Sequence, residues 1–537
     1  MTSFTNILSD NVGQAFETLD LPGELGRVRT SDRPDLAQFQ CNGAMAAAKH
    51  AGKNPREIAA QIKDLLDKDG SFSKVEIAGP GFINLHLNDE SIAAHLNKVR
   101  ADSRLGVSKH ADGETVILDY GGPNIAKPMH VAHLRASIIG DSLRRIMDFA
   151  GYKALGDVHL GDWGTHMGMI ISEYIRTGRQ DEVLNTDLDD PVQVDALMRE
   201  LSEIYPKVSG ECKENEQRKE EARAATVKIQ QKELEHFRLW EKIQAASIIG
   251  IRRNFEALNV HFDLWKGEAD VHDYIAPMVQ DLKDNKLAYE SDGALIINVA
   301  RNSDNKEMPP LILHKKDGAV MYGTTDLATL VERMKLFDPV KCIYIVDQRQ
   351  HLHFEQLFRA ARKSGIVSDE VELTHAGFGT MNGPDGKPFK TRAGGVMRLE
   401  DLIAMAVEKA ESKMDEAELA QNIPAEEKGD IARKVGISAI KFADLQNNRT
   451  SDYIFDLDRF TAFEGKTGPY LLYQTVRIKS LLRKAAEKGF EPGEEIIVRD
   501  EDRDLALLLG GYQDALDLTL DSYAPHHLCD YIYRVAS

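Results

Sequence analysis

Two histidines three residues apart, His130 and His133, follow a Gly/Pro loop that also carries Lys127 and closes a short apolar run. The stretch reads Leu118-Asp119-Tyr120-Gly121-Gly122-Pro123-Asn124-Ile125-Ala126-Lys127-Pro128-Met129-His130-Val131-Ala132-His133. Imidazole and ammonium groups beside a helix start are the chemistry that holds phosphate oxygens, because free backbone N–H groups and the helix dipole add positive potential there. Thr115-Val116-Ile117-Leu118 is apolar and partly β-branched, which suits a central parallel strand. Leu134, Ile138, Ile139, Leu143, Ile146 and Phe149 then recur at helical spacing up to Gly151, so His130 and His133 are expected on one face of a first helical turn.

Two acids and a second polar corner stand out next. Asp119 ends the first strand, where a carboxylate is costly in a packed core but useful at a pocket. Asp326 follows Met321-Tyr322-Gly323-Thr324-Thr325 at the start of another helix, where an acid also serves as an ordinary cap. Cys342-Ile343-Tyr344-Ile345-Val346 leads into Asp347-Gln348-Arg349-Gln350-His351-Leu352-His353, again placing polar groups at a strand's carboxyl end. In open α/β sheets that edge is the ligand crevice.

These residues need a scaffold, and the length allows one. At 537 residues, two to four domains are expected. No run of about 18 apolar residues and no basic leader with an apolar core appears, so a cytoplasmic chain with no membrane contact is expected. Cys41, Cys212, Cys342 and Cys529 form no C-x-x-C pair, which argues against a zinc ribbon or a disulfide framework. A net charge of −19 disfavours nonspecific nucleic-acid binding and leaves specific binding through a local basic stripe open.

Residues 1–110 read as a small α+β unit, with a helix from Pro55 to Leu66 and a strand pair around Gly79-Pro80-Gly81. Residues 111–400 alternate strands and helices, the pattern of a doubly wound parallel sheet. That pattern is interrupted at about 175–250 by charged helical sequence that reads as a solvated insertion. Residues 401–537 are helical, an all-α bundle.

Pro123 to Arg135 closely resembles the ATP-binding signature of the class I arginyl-tRNA synthetases. Further blocks resemble that family in order: Pro34 to Glu57, Tyr322 with Thr325 and Asp326, Gln350 to His353, Asn447 to Tyr453, and Gly468 to Gln474. The resemblance implies a Rossmann-like catalytic domain over 111–400, an N-terminal domain that touches tRNA, and an anticodon-binding helical domain. It implies ATP with Mg²⁺, L-arginine and a cognate tRNA as the molecules bound, no metal held by the protein itself, and a monomer. Lys127, His130 and His133 would meet the phosphates, joined by Lys390 from a Gly/Pro/Lys loop and by His353 near the nucleotide. Asp119 and Asp326 would hold the guanidinium, which a carboxylate recognises through paired N–H···O bonds. Tyr322, Gln350 and Asn124 would complete the arginine subsite.

Arginyl-adenylate would form by in-line attack of the amino acid's carboxylate on the α-phosphorus, and the terminal ribose of tRNA would then take the arginyl group. Tyr470, Tyr473 and Arg477 would contact tRNA through stacking and charge. The chain departs from the family pattern at three places. Ala132 replaces a glycine, Thr391 replaces the second lysine of the loop (with Lys127 taking over its role), and the sequence stops short of the family's last helices. Two other readings stay open here: a class I synthetase for another amino acid, and a tRNA-binding paralogue without chemistry.

Overall fold

The computed structural model describes residues 3–33, 35–315, 320–383, 385–387, 397–416 and 423–537. They form two compact units, Met1–His110 with Tyr473–Ser537, and Ala111–Leu472.

In the first unit, β1 (Val28–Thr30), β2 (Phe39–Cys41), β3 (Phe72–Ala78) and β4 (Phe82–Leu87) make an antiparallel sheet of order β1-β2-β4-β3. The expected helix appears as Pro55–Leu66, with Asn54 capping it and proline at its first position. Leu8, Phe16, Ile58, Ile62, Ile83 and Leu85 build the core, and Val498 and Ala506 from the far end of the chain join it. Polar contacts fasten the same junction: Thr5 Oγ1 donates to Asp514 at 2.5 Å and the Ser108 N–H to Gln513 at 2.6 Å. The two ends of the chain are thus one folded body.

The second unit holds β5 (Thr115–Tyr120), β6 (Lys153–Asp157), β7 (Ala288–Ser291), β8 (Ala294–Ile297), β9 (Leu311–His314), β10 (Lys341–Ile345), β11 (Glu372–His375), β12 (Met381–Asn382) and β13 (Tyr453–Ile454). Four of them form a parallel sheet of order β11-β10-β5-β6. Val116, Ile117 and Leu118 are fully buried, as their unbroken apolar run required. The chain leaves β5 toward β6 on one side and returns as β10 on the other, so a topological switch lies between β5 and β10. The helix Ala132–Phe149 lies against β5 so closely that a Cβ on Gly140 would fall 2.1 Å from Tyr120 Cγ. It ends as expected before Gly151, whose φ is +104°.

The insertion is helical, through Thr165–Thr177, Pro191–Glu214, Glu216–Gln230 and Leu234–Ala257. It is less solvated than its composition suggested. Glu173 is buried between these helices and accepts from Arg176 at 2.8 Å, Lys207 at 3.0 Å and Arg218 at 2.8 Å. A small antiparallel sheet, β7-β8-β9, was not anticipated in an otherwise parallel region. The helices Leu399–Glu416 and Ala425–Leu445 follow as expected. Arg135, from the 132–149 helix, donates to Asp444 at 3.1 Å and to the Gly379 carbonyl at 2.6 Å, and the Tyr453 hydroxyl donates to the same carboxylate at 3.0 Å. No helix among the described residues is long and apolar enough to cross a membrane.

Candidate active site

Parallel pairing aligns one residue from each strand at the carboxyl edge of the sheet. His375, Tyr344, Asp119 and Asp157 are register partners across β11, β10, β5 and β6. Register partners project to the same face, so two carboxylates and a phenol share one wall. The Arg333 side chain from the helix Tyr322–Phe337 reaches that wall. Its Nη2 donates to Asp119 Oδ2 at 2.5 Å and to Asp157 Oδ2 at 2.7 Å, and its guanidinium carbon stands 5.2 Å from the Tyr344 ring centroid.

His159, in the loop after β6, offers a ring nitrogen within 4.8 Å of carboxylate oxygens of both acids. Burial alone would lower its pKa, but Asp119 and Asp157 outweigh burial and hold the ring above the usual histidine range. For Asp119 the balance runs the other way: burial raises its pKa, opposed by Arg333 and His159.

Asp326 lies on the same Tyr322–Phe337 helix and shares His159 and Tyr344 as electrostatic neighbours with Asp119. Its Oδ2 meets His353 Nε2 at 2.6 Å. His353 is thereby grouped with the acids, and no contact among the described residues joins it to the histidine pair. Tyr322 is 70% exposed at the first position of that helix, within electrostatic reach of Glu268 and Asp326, and Thr325 Oγ1 donates to its carbonyl. Gln350 is exposed at the end of the 3-10 turn Gln348–Gln350. Glu268 is pushed up to about 7 by burial, with His159 pulling it down and Asp162 and Asp326 pushing it further up.

On the other side of the corner, the histidine pair differs from expectation in detail. His130 precedes the helix in an extended bridge to Arg398, and only His133 lies in the first turn. Their rings still stack, with centroids 5.1 Å apart and 18° between planes. The His130 N–H donates to His133 Nδ1 at 3.1 Å. An accepting Nδ1 leaves the proton of a neutral ring on Nε2, so His133 presents a donor. Burial and then the neighbouring His130 depress His133 to about 4, so the ring is neutral at physiological pH. His166 is depressed to about 3 by burial and then by Lys127. The Lys127 ammonium stands 3.9 Å over the Tyr205 ring.

Asn124 bridges Gly161 in parallel, and a Cβ on Gly161 would fall 2.3 Å from Asn124 Oδ1, so a larger residue there would push the Asn124 amide out of its present place. Ala132 is exposed at the helix start. Lys390 and Thr391 lie outside the described residues. The segment just after them is anchored beside the histidines, since the Val131 N–H donates to the Met397 carbonyl and the Leu399 N–H to the Met129 carbonyl. Tyr470 is half-buried, Tyr473 is 37% exposed, and Arg477 stands 5.6 Å from the Tyr473 ring centroid in the helix Gly468–Glu487.

Sequence reasoning missed Arg333, Asp157, His159, His166, Glu268 and Tyr205. A signal was present for two of them. His159-Leu160-Gly161-Asp162-Trp163-Gly164-Thr165-His166 repeats the strand, glycine loop and helix design of the first corner. Nothing local marked Arg333, which sits mid-helix.

Acids gather about His159 at the carboxyl ends of β5 and β6, and an ammonium with imidazoles stands on the loop and helix start that follow β5, at the switch point of a parallel sheet. The fold that carries them is that of a class I aminoacyl-tRNA synthetase catalytic domain. The description "tRNA synthetases class I (R), catalytic domain" matches residues 95–457, "Arginyl tRNA synthetase N terminal domain" matches 3–87, and "DALR anticodon binding domain" matches 471–537. An arginine–tRNA ligase of Hyphomonas neptunium is 47% identical over 100% of this chain and 92% of its own length, and one of Maricaulis maris is 48% identical with the same coverage. The chain belongs to the arginyl-tRNA synthetase family. The same fold occurs in the crystal structure of the arginyl-tRNA synthetase of Plasmodium falciparum (TM-score 0.81, 24% identity, 100% of this chain and 91% of that one). It recurs in the Thermus thermophilus enzyme (TM-score 0.81, 20% identity, 99% and 90%).

Proposed function

We propose that the crevice between β5 and β10 is where L-arginine is activated by ATP and then passed to tRNA. Asp119 and Asp326 bind the substrate guanidinium, with Tyr322 and Gln350 at the rim and Asn124 at the α-ammonium and carboxyl end. Lys127, His130 and His133 face the phosphates, and Lys390 joins them. The arginine carboxylate attacks the α-phosphorus, the bond to pyrophosphate breaks, and the terminal ribose hydroxyl of tRNA then attacks the arginyl carbonyl with loss of AMP.

No protein nucleophile is needed. The gain comes from alignment and from neutralising charge that builds on the phosphates. Neutral imidazoles suit this work, since they donate hydrogen bonds without adding fixed charge against the incoming arginine. In this reading His353 acts at the arginine end, holding Asp326. The reading rests on one observation: the Asp119, Asp157 and Asp326 group about His159, and the Lys127, His130, His133 and His166 group, stand on strand ends, loops and helix starts at the carboxyl edge of one sheet.

Mg²⁺ accompanies ATP as a substrate complex. Asp119, Asp157 and His159 cluster closely enough to suggest a metal site, but Arg333 already sits on both carboxylates and repels a dication. That group does not fit a metal, and no step is assigned to one. Tyr473 and Arg477, with Tyr470, are the proposed tRNA contacts of the helical region that begins after residue 400. We place the chain's action in the cytoplasm, as a monomer.

The test is tRNA charging and ATP–pyrophosphate exchange with each of the twenty amino acids, total tRNA being present throughout. Arginine alone should support both. Exchange with a neutral amino acid and none with arginine would reject the reading.

A further inference from the structure

Asp119 is not free to receive a substrate guanidinium on both oxygens, because a guanidinium of the chain is already there. Arg333 is 1% exposed, and its Nη2 is shared between Asp119 Oδ2 and Asp157 Oδ2. Asp157 is nearly as buried, at 3%, whereas Asp119 keeps 12% of its side chain accessible. Two carboxylates share one guanidinium and the His159 ring, and Asp119, the more accessible acid, is the one with an oxygen outside the Arg333 contact to present to a cation.

We propose that Arg333 and Asp157 are positioning residues for arginine recognition: Arg333 pins one oxygen of Asp119, and Asp157 neutralises Arg333 so that Asp119 still attracts a cation. The inference rests on the reading of Asp119 as a guanidinium-binding acid. It adds that the contact is made through one oxygen, end-on, and that a second acid must supply the rest of the grip. Asp326, on the same helix as Arg333, is placed to do so. Arg333 then couples the two acids mechanically, since the helix that carries Asp326 is fastened to β5 and β6 by its guanidinium.

The charges facing Asp119 come from every neighbouring element. They are Arg333 from the helix and Asp157 and His159 from β6 and its loop, while Tyr344 and Cys342 of β10 also face it but are held neutral by burial. Removing the cation or the second acid therefore moves Asp119 in opposite directions. Without Arg333 the carboxyl protonates more readily, and the acidic limb of kcat/KM for arginine shifts to higher pH. Without the charge of Asp157 it ionises more readily, and the limb shifts to lower pH.

The experiment measures charging by the full chain with saturating tRNA, for Arg333→Met, Arg333→Lys and Asp157→Asn, across the acidic limb. Arginine KM should rise at least about tenfold in Arg333→Met and in Asp157→Asn, the scale of one charged hydrogen bond. ATP KM should stay within about twofold, and Arg333→Lys should recover part of the loss. Parallel rises in both KM values, or limbs that do not move apart, overturn the proposal. Should Arg333→Met fail to fold, Asp157→Asn carries the test, and an unmoved arginine KM or limb in it is decisive. The unaltered chain is assayed first. Its failure to charge tRNA with arginine would sink the functional reading, whereas normal charging with unresponsive variants sinks only this inference.

Discussion

The Asp326 carboxylate and the His353 imidazole meet at 2.6 Å, each supplied by the helix that follows a different strand, so the acid group at the sheet edge contains an ion pair with a titrating member. Burial opposes protonation of His353, but the hydrogen bond and charge of Asp326 more than offset it and raise its pKa.

That pair sets a pH dependence of stability. A histidine whose pKa is raised on folding contributes stability that is fully present below its unfolded value and is lost as pH rises through the folded value. His353→Gln keeps a donor and removes the charge. Its melting temperature should fall below that of the parent in mildly acidic buffer, and the two should converge in alkaline buffer. A gap that does not narrow with rising pH would contradict the assignment.

The half-buried His133 behaves in the opposite way. Its depressed pKa means that stability is lost as pH falls from the ordinary histidine value toward about 4. Imidazole resonances followed by NMR should show His133 untitrated through neutral pH. An inflection near the ordinary value would mean that the ring takes up a proton there and does not keep Nδ1 as the acceptor of the His130 N–H.

Lys127 supplies the permanent positive charge beside the histidines. Lys127→Ala should lower aminoacylation at least about tenfold, since one charged contact to a phosphate is worth roughly 1.5–3 kcal/mol. The fold should survive, because the ammonium is half-exposed over Tyr205. A rate equal to the parent's would remove the argument that Lys127 replaces the missing loop lysine.

The ion pair of Arg135 with Asp444 is structural. Both side chains are buried, at 2% and 0%, and they join the 132–149 helix to the 425–445 helix. Asp444→Ala would strand the guanidinium without its charge partner, at a cost of about 3–5 kcal/mol in denaturant unfolding. A loss below about 1 kcal/mol would show that the carbonyls of Gly379 and Ser451 satisfy Arg135 without the acid.

The elements were legible where one physical signal ruled. The Pro55–Leu66 helix was readable from its periodicity, and β5 from a run of apolar residues too continuous for a half-exposed strand. The histidine corner was readable because its chemistry is local: loop, ammonium and imidazoles lie within seven residues from Lys127 to His133. The exact helix start was not, since His130 is held extended by residue 398, far along the chain. Glu173 was likewise opaque. Its own helix supplies one cation, and two come from helices further on, Lys207 and Arg218.

The linear sequence, through spacing and local chemistry, determined the parallel-sheet architecture and the family to which this chain belongs. It also singled out the histidine corner and the acids Asp119 and Asp326. Tertiary structure alone decided which groups surround those acids. Arg333 reaches Asp119 across 214 residues and His353 reaches Asp326 from the helix after another strand, and such contacts leave no periodic trace. Tertiary packing likewise brought the first and last segments of the chain into one core. Sequence patterns record what each residue asks of its neighbours along the chain, whereas the charge state of a buried site is set by neighbours in space.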